Sequence, residues 1–217
     1  MLRETWTHFI LGYYICQACG IVDRDKDRLI VGHKCSRCGT PSLQGQMYFD
    51  MTVGAIADLV AEFYPLPPPD SPPSTTPITD PPESHRLAIL VFFCTLGEIL
   101  LQHYLERCML KLGLPVEIQE RLLQDNLFPK QRIKRLFPIL TGATWQVAVK
   151  TASKSANSEF ENTVAFYLEA TEKRNQLLHV GNKWLVPPDM AKQCFNQMDS
   201  LIGLFVELHN VYLAKPI

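Results

Sequence analysis

The sequence predicts a mainly α-helical protein that begins with a small, cysteine-rich β module. Three observations support this fold class. Two Cys-x-x-Cys pairs fall within the first 50 residues, a proline-rich stretch follows at residues 65–83, and almost everything beyond it carries apolar residues at helical spacing. With 217 residues, of which 47% are hydrophobic, the chain can bury a substantial core.

The overall charge does not indicate a polyanionic or membrane partner. Because the formal net charge is only -1, any contact with RNA would have to come from local basic patches, such as the run at residues 130–135. A solvated helix face explains that run equally well. Residues 1–11 contain charges and no cleavage pattern, and the longest apolar run, 87–97, is far shorter than the roughly 20 residues that span a bilayer. We therefore expect a soluble, cytoplasmic protein without a membrane partner.

Four of the seven cysteines form two pairs, each followed by a glycine: Cys16-Gln-Ala-Cys19-Gly20 and Cys35-Ser-Arg-Cys38-Gly39. Two thiolates three positions apart can bind one metal ion from a tight turn, and the glycine permits backbone conformations that leave amides free to point at sulfur. Two such turns complete a tetrahedral site with no open position, which predicts a structural metal. Redox pairs or disulfides are the alternatives. A redox motif would need one pair at the start of a helix.

The N-terminal module resembles zinc ribbons over residues 13–48. The resemblance implies one structural zinc ion per chain, held by Cys16, Cys19, Cys35 and Cys38. Apolar residues at 21–22 and 29–31 flank a charged tip and predict the strands of a hairpin. His33 is interpreted as a surface residue or a neighbour of the ligands. What the ribbon recognises does not follow from its spacing.

The rest of the chain divides into a connecting helix, a linker and a helical domain. We expect the ribbon at residues 1–50, a helix at 51–64, a proline-rich linker at 65–83 and the helical domain at 84–217. Within that domain the predicted helices are 87–112, 115–126, 130–137, 144–153, 159–180 and one that starts at Pro187-Pro188, with Pro138 and Gly142 ending helices between them.

The predicted helix at 159–180 changes character along its length. Its inward row begins with apolar residues and then turns polar at the same spacing: Phe160, Val164, Tyr167, Leu168 and Thr171 lead to Arg174, Asn175, Leu178 and His179. Polar groups on a buried stripe lose hydration, and this cost needs compensation. We therefore expect them to satisfy one another in the core, or to line a cleft or a subunit interface.

The segment Arg174-Asn175-Gln-Leu-Leu-His179 resembles the R-x4-6-H motif of HEPN domains, in the form with asparagine directly after arginine. The acidic Glu98 within an otherwise apolar helix is also similar to that family. The resemblance covers residues 84–214 and implies an α-helical bundle of the HEPN type.

The HEPN resemblance implies a metal-independent endoribonuclease that acts as a homodimer, with paired motif helices forming one composite cleft. Cleavage by the RNA's own 2'-hydroxyl needs a base and an acid, and two chains supply two copies of His179. Arg174 is implied to hold the scissile phosphate. Asn175 would orient His179 or donate to phosphate, and Glu98 would pair with Arg174 or fix the histidine tautomer. The expected products are a 2',3'-cyclic phosphate and a 5'-hydroxyl.

Other interpretations of these residues stay open. A histidine near a helix end is often a capping or surface residue, and Arg174 with Glu98 or Glu172 could form a structural ion pair. As a ribonuclease the protein would fit a toxin or defence effector with an antitoxin or complex partner. The helical domain could instead be a non-catalytic dimerisation scaffold in a zinc-dependent adaptor. It could also bind a nucleotide, or be modified by a partner transferase.

Overall fold

A small antiparallel sheet and a bundle of helices make up the part of the chain that the computed structural model describes. This part is residues 13–24, 34–41, 46–64, 80–180 and 186–215, without the side chains of Gln46, His179 and Val180. The predicted strand at 29–31, His33 and most of the proline-rich segment lie outside the described residues.

The sheet has three strands in the order β2-β1-β3: β1 is Tyr13–Ile15, β2 is Val22–Arg24 and β3 is Gln46–Met47. Tyr14 pairs with Asp23 on one side and with Met47 on the other. The first cysteine pair is therefore the turn between β1 and β2. The second pair lies between residues 34 and 41, which form an isolated β-bridge. The strand found here to pair with β2 is β1, which precedes the first cysteine.

The prediction of a mainly helical chain is confirmed. The helices are α1 (Met51–Phe63), α2 (Glu83–Lys111), α3 (Val116–Asp125), α4 (Pro129–Gln131), α5 (Phe137–Thr141), α6 (Trp145–Ala156), α7 (Phe160–Val180) and α8 (Pro188–Tyr212). Helix α1 starts where it does because the Asp50 carboxylate accepts hydrogen bonds from the backbone N–H groups of Thr52 and Val53.

The helical run from α4 to α5 does not end at Pro138, as the sequence had suggested. A π-helical turn, Arg132–Leu136, joins the two helices, and the Phe137 N–H donates to the carbonyl of Arg132. Proline has no N–H and its ring crowds the preceding turn, so a widened turn before Pro138 lets the chain continue helically. The run ends at Gly142, whose φ of 73° is a conformation that glycine adopts readily.

Helix α2 lies at the centre of the bundle, where it packs against α1, α7 and α8. Apolar residues recur at helical spacing from Leu87 to Leu112, a pattern that predicts one buried face, and most of them are buried: Leu90, Cys94, Leu101, Leu105 and Cys108. The outermost two, Leu87 and Leu112, are instead exposed. By length and composition α2 could cross a membrane, a test that central helices of soluble proteins also pass, and 50% of its most apolar 18-residue window is buried inside the protein.

The N-terminal sheet packs on the helices within one continuous core. Tyr48 lies between two histidines, with ring centroids 5.1 Å from His103 and 4.8 Å from His209. The side-chain amide of Asn210 accepts from the Val22 N–H at 2.7 Å and donates to the Val22 carbonyl at 2.9 Å. Helix α8 thereby extends the sheet's hydrogen bonding with a side chain.

Candidate functional site

The four cysteines of the two pairs form one cluster. Their sulfur atoms all lie within 4.8 Å of one another, and the separations Cys16–Cys38 and Cys19–Cys35 are both 3.8 Å. Four thiolates bound tetrahedrally at about 2.3 Å from one zinc ion would be about 3.8 Å apart. The cluster therefore has a size and shape that could hold a single metal ion.

The two cysteine turns have the same backbone design. In the first, the Gly20 N–H donates to the Cys16 carbonyl at 2.7 Å; in the second, the Gly39 N–H donates to the Cys35 carbonyl at 2.9 Å. Both glycines have positive φ, 74° and 68°. A side chain at either position would strain the turn that brings its two sulfurs together. This is the physical reason for a glycine after each pair.

The thiols of the cluster lie in different environments. Burial raises the pKa of Cys19 to about 12, so its sulfur keeps a proton near neutral pH unless a cation replaces that proton. Hydrogen bonding to the Thr40 side chain, 3.2 Å away, lowers the pKa of Cys38 to about 6. A bound cation would stabilise the thiolate form of all four side chains.

The first cysteine turn is fastened to the end of α8. His209 Nε2 lies 2.9 Å from the Gly20 carbonyl, and because a carbonyl only accepts, the imidazole donates from Nε2. The backbone N–H of Lys215 donates to the Cys19 carbonyl at 2.9 Å. Burial lowers the pKa of His209 to about 4, which keeps the ring neutral at physiological pH. Nothing in the sequence around His209 had indicated this role.

The motif residues of α7 meet Glu98 of α2. Arg174 Nη1 donates to the Glu98 carboxylate at 2.7 Å, and the Arg174 side chain is only 14% exposed. The same guanidinium donates from Nε and Nη2 to the Asn175 side-chain oxygen, at 3.2 and 3.0 Å. All three guanidinium nitrogens are thus engaged by residues that the sequence had grouped as candidates.

A close contact between α2 and α7 brings this trio together. Gly97 has no side chain, and the Tyr167 ring lies so near that a Cβ at position 97 would be 2.2 Å from ring atom Cε2. Glycine is unfavourable in a helix interior, so its presence here has a packing reason. Because Glu98 follows Gly97 directly, the close approach of the two helices at Gly97 allows the Glu98 carboxylate to reach the Arg174 guanidinium.

We predict that Gly97→Ala destabilises the protein and loosens the Glu98–Arg174 contact. The added methyl group must displace the Tyr167 ring or separate the helices, which costs about 1–3 kcal/mol in well-packed cores. Gly203→Ala in α8 is a matched control, because its Cβ would lie 3.7 Å from Phe160, an ordinary contact. Denaturant unfolding of both variants measures the difference. Equal stability of the two would contradict the close approach.

The structure corrects part of the predicted inward row of α7. Phe160 and Tyr167 are buried, as expected, but Leu168 and Leu178 are 47% and 56% exposed and Asn175 is also exposed. The buried row continues instead through Ala170 and ends near Arg174. Leu168 and Asn175 consequently border a groove. His179 belongs to the last turn of α7, and its side chain is not among those described.

The groove has a volume of about 1460 Å³ and contains the trio. Its lining includes Glu98, Arg174 and Asn175, together with three basic side chains from the region around the π-helical turn: Lys130, Lys134 and Arg135. The exposed Phe128 and the buried Trp145 also line it. The basic run ends at Arg135 and the motif begins at Arg174, 39 positions later in the sequence. The two segments nevertheless share one concave surface.

Comparison of the chain with protein-family models, with curated proteins and with solved structures gives no match. A fold alone does not determine an activity, because the same fold carries many functions. The function of this chain is therefore inferred from the chemistry of the groove and of the cysteine cluster.

Proposed function

We propose that the protein is a metal-independent endoribonuclease of the HEPN type, with an active site formed by two chains. The observation that supports this best is the meeting of Glu98, Arg174 and Asn175 in a groove that also contains three further basic residues. Among the described residues, no carboxylate pairs with Lys130, Lys134 or Arg135. With four basic and two acidic residues in its lining, the groove favours a polyanion.

Arg174 is suited to hold a phosphate. Its guanidinium is fixed by Glu98 and Asn175, so little side-chain entropy is lost when a phosphate binds to the remaining N–H groups. Charge-assisted hydrogen bonds to phosphate oxygens would strengthen as negative charge grows on them in the transition state. Glu98 acts in this proposal as the residue that positions Arg174.

Cleavage in this proposal needs one histidine from each chain. One His179 takes the proton of the RNA 2'-hydroxyl as the 2'-oxygen attacks phosphorus, and the other His179 donates a proton to the departing 5'-oxygen as the P–O5' bond breaks. Helical periodicity puts position 179 one turn beyond Asn175 on the same face of α7. A dimer that pairs the α7 helices would bring both copies to the scissile phosphate.

For the cysteine cluster we propose one structural zinc ion per chain. Four thiolates at tetrahedral spacing are the ligand set that zinc prefers, and four protein ligands leave no position for a substrate. The site takes no part in the chemistry proposed for the groove. Its contribution is to hold the sheet and to fasten it to α8 through Gly20 and Cys19.

A second candidate function is a non-catalytic scaffold in which the helical domain dimerises and binds a partner. The observation that favours it is the Glu98–Arg174 ion pair itself, because a structural ion pair has the same geometry. The exposed apolar side chains Leu168 and Leu178 on α7 also suit a helix that pairs with a second copy. In both candidates α7 is the dimer helix.

The nuclease proposal is tested with purified protein, single-stranded RNA and excess EDTA, alongside a 2'-deoxy strand of the same sequence. We expect cleavage of the RNA alone, with 2',3'-cyclic phosphate ends, because neither attack nor proton transfer requires a metal. Mass spectrometry identifies the ends. Cutting of the deoxy strand would exclude attack by the 2'-hydroxyl. Intact RNA with a dimeric protein would favour the scaffold instead.

A further inference from the structure

The groove has a second chemical character besides its basic charge, because aromatic residues border it. Phe128, at the start of α4, is 65% exposed, which is unusual for so large an apolar side chain. The neighbouring Leu127 is exposed to the same extent and also lines the groove. An exposed phenyl ring in a concave, basic surface can present its face to a flat ligand.

Trp145, the first residue of α6, is a further aromatic residue of the lining and is 8% exposed. Its indole Nε1 is itself buried and has no hydrogen-bond acceptor within the described parts of the chain. Trp145 therefore contributes ring surface to the wall of the groove, and the exposed Phe128 is the ring that a ligand can reach.

We propose that Phe128 and the basic residues Lys130 and Lys134 form a subsite for one unpaired nucleotide of the bound strand. The Phe128 ring stacks on the base, and the two ammonium groups pair with the flanking phosphates. This inference rests on the proposed nuclease function for its choice of ligand. Stacking on an exposed ring requires a base that is free of a partner strand, so the subsite selects single-stranded over duplex RNA.

The sequence of this region suits such a subsite. Lys130 and Lys134 are four positions apart in a helical run, so they project from the same side of it, and both are exposed. The turn that contains Lys134 is π-helical, a geometry that is frequently found at functional sites. Arg132, between the two lysines, is instead turned inward and donates to the carbonyl of Asn126 and to Gln102. The two lysines are therefore left to face a ligand.

Binding is measured by fluorescence anisotropy with a labelled 2'-O-methyl RNA strand, which has no free 2'-hydroxyl and stays intact. We expect Phe128→Ala to weaken binding about tenfold, the loss of one base–aromatic stack. Ile139→Ala is the matched control, because Ile139 is 78% exposed and is not part of the groove lining. Lys134→Ala should weaken binding and reduce its salt dependence, whereas Lys150→Ala, on α6, should not.

The outcomes separate the subsite from the nuclease proposal. If natural RNA is cleaved but Phe128→Ala and Lys134→Ala bind the 2'-O-methyl strand as tightly as the wild type, the subsite is overturned and the nuclease stands. If the variants bind weakly although no RNA is cleaved, the subsite stands and the nuclease falls. Equal affinity for the annealed duplex, or conversion of a dimer to a monomer by Phe128→Ala in sedimentation experiments, would assign Phe128 another role and overturn the subsite.

Discussion

Replacing Arg174 with alanine is expected to lower the rate of RNA cleavage by about 10²- to 10³-fold, the usual effect of removing one hydrogen-bond donor that stabilises charge in a transition state. His179→Ala is expected to lower it by about 10²- to 10⁴-fold, because it removes the proton-transfer group. Single-turnover cleavage of a labelled RNA measures both rates. Affinity for the 2'-O-methyl strand should change far less with His179→Ala, since proton transfer contributes little to binding.

Glu98→Gln separates catalysis from structure. Both Arg174→Ala and Glu98→Gln remove the ion pair, so a purely structural pair would make the two variants similar in stability and in cleavage. If Arg174 holds the phosphate, the Arg174 variant is much slower than the Glu98 variant at comparable stability. Adding excess Arg174→Ala chain to the wild type provides a further control. Activity that falls below simple dilution indicates a site shared between two chains, and activity that follows dilution contradicts it.

Removing the metal is expected to release the N-terminal sheet and to destabilise the whole protein. Metal analysis should find about one zinc per chain, and Cys19→Ser should lose it. Without the cysteine cluster, Tyr13 and Val22, which are 7% and 2% exposed, lose their fixed positions in the core. At ~2 kcal/mol for each buried side chain, and ~2–4 °C of Tm per kcal/mol in a chain of this size, Tm falls by about 10 °C.

Cys94→Ser is the matched control for metal content. Cys94 is buried in α2 beside Thr171 and away from the cluster, so this variant loses packing while its zinc content stays at about one per chain. Calorimetry gives the two Tm values, and elemental analysis gives the metal content. A Cys19→Ser protein with unchanged zinc and unchanged Tm would show that the cluster neither binds the metal nor supports the fold.

The cysteine cluster could be predicted from the sequence because it depends on local spacing. Each pair and its glycine determine the conformation of one turn. The four-cysteine cluster then requires only that the two turns lie next to each other. The ion pair between Glu98 and Arg174 could be predicted only as one alternative, beside a role of Glu98 in fixing the histidine tautomer. It depends on how closely α2 and α7 approach, and Gly97, an isolated glycine in a strongly apolar helix, is the signal that could have indicated it.

The exposed faces of α7 were harder to predict. Leu168 and Leu178 are apolar and fall on a helical row, so periodicity alone assigns them to the core, although both are exposed. When a helix has apolar residues on more than one face, as α7 has where it borders the groove, their helical spacing no longer identifies the face that is buried. The packing of the sheet on α8 through His209 and Asn210 could not be predicted at all, because no periodic pattern links positions so far apart.

The hydrogen bonds between the sheet and α8 also affect the order in which parts of the protein can fold during synthesis. Val22 and Asn210 are separated by 188 positions, so during synthesis the cysteine turns emerge long before the helix that covers them. The cysteine turns could hold a metal ion early, yet the apolar side of the sheet stays uncovered until α8 has been synthesised. Loss of a few residues from the end of α8 would therefore disturb the cysteine turn and the sheet first.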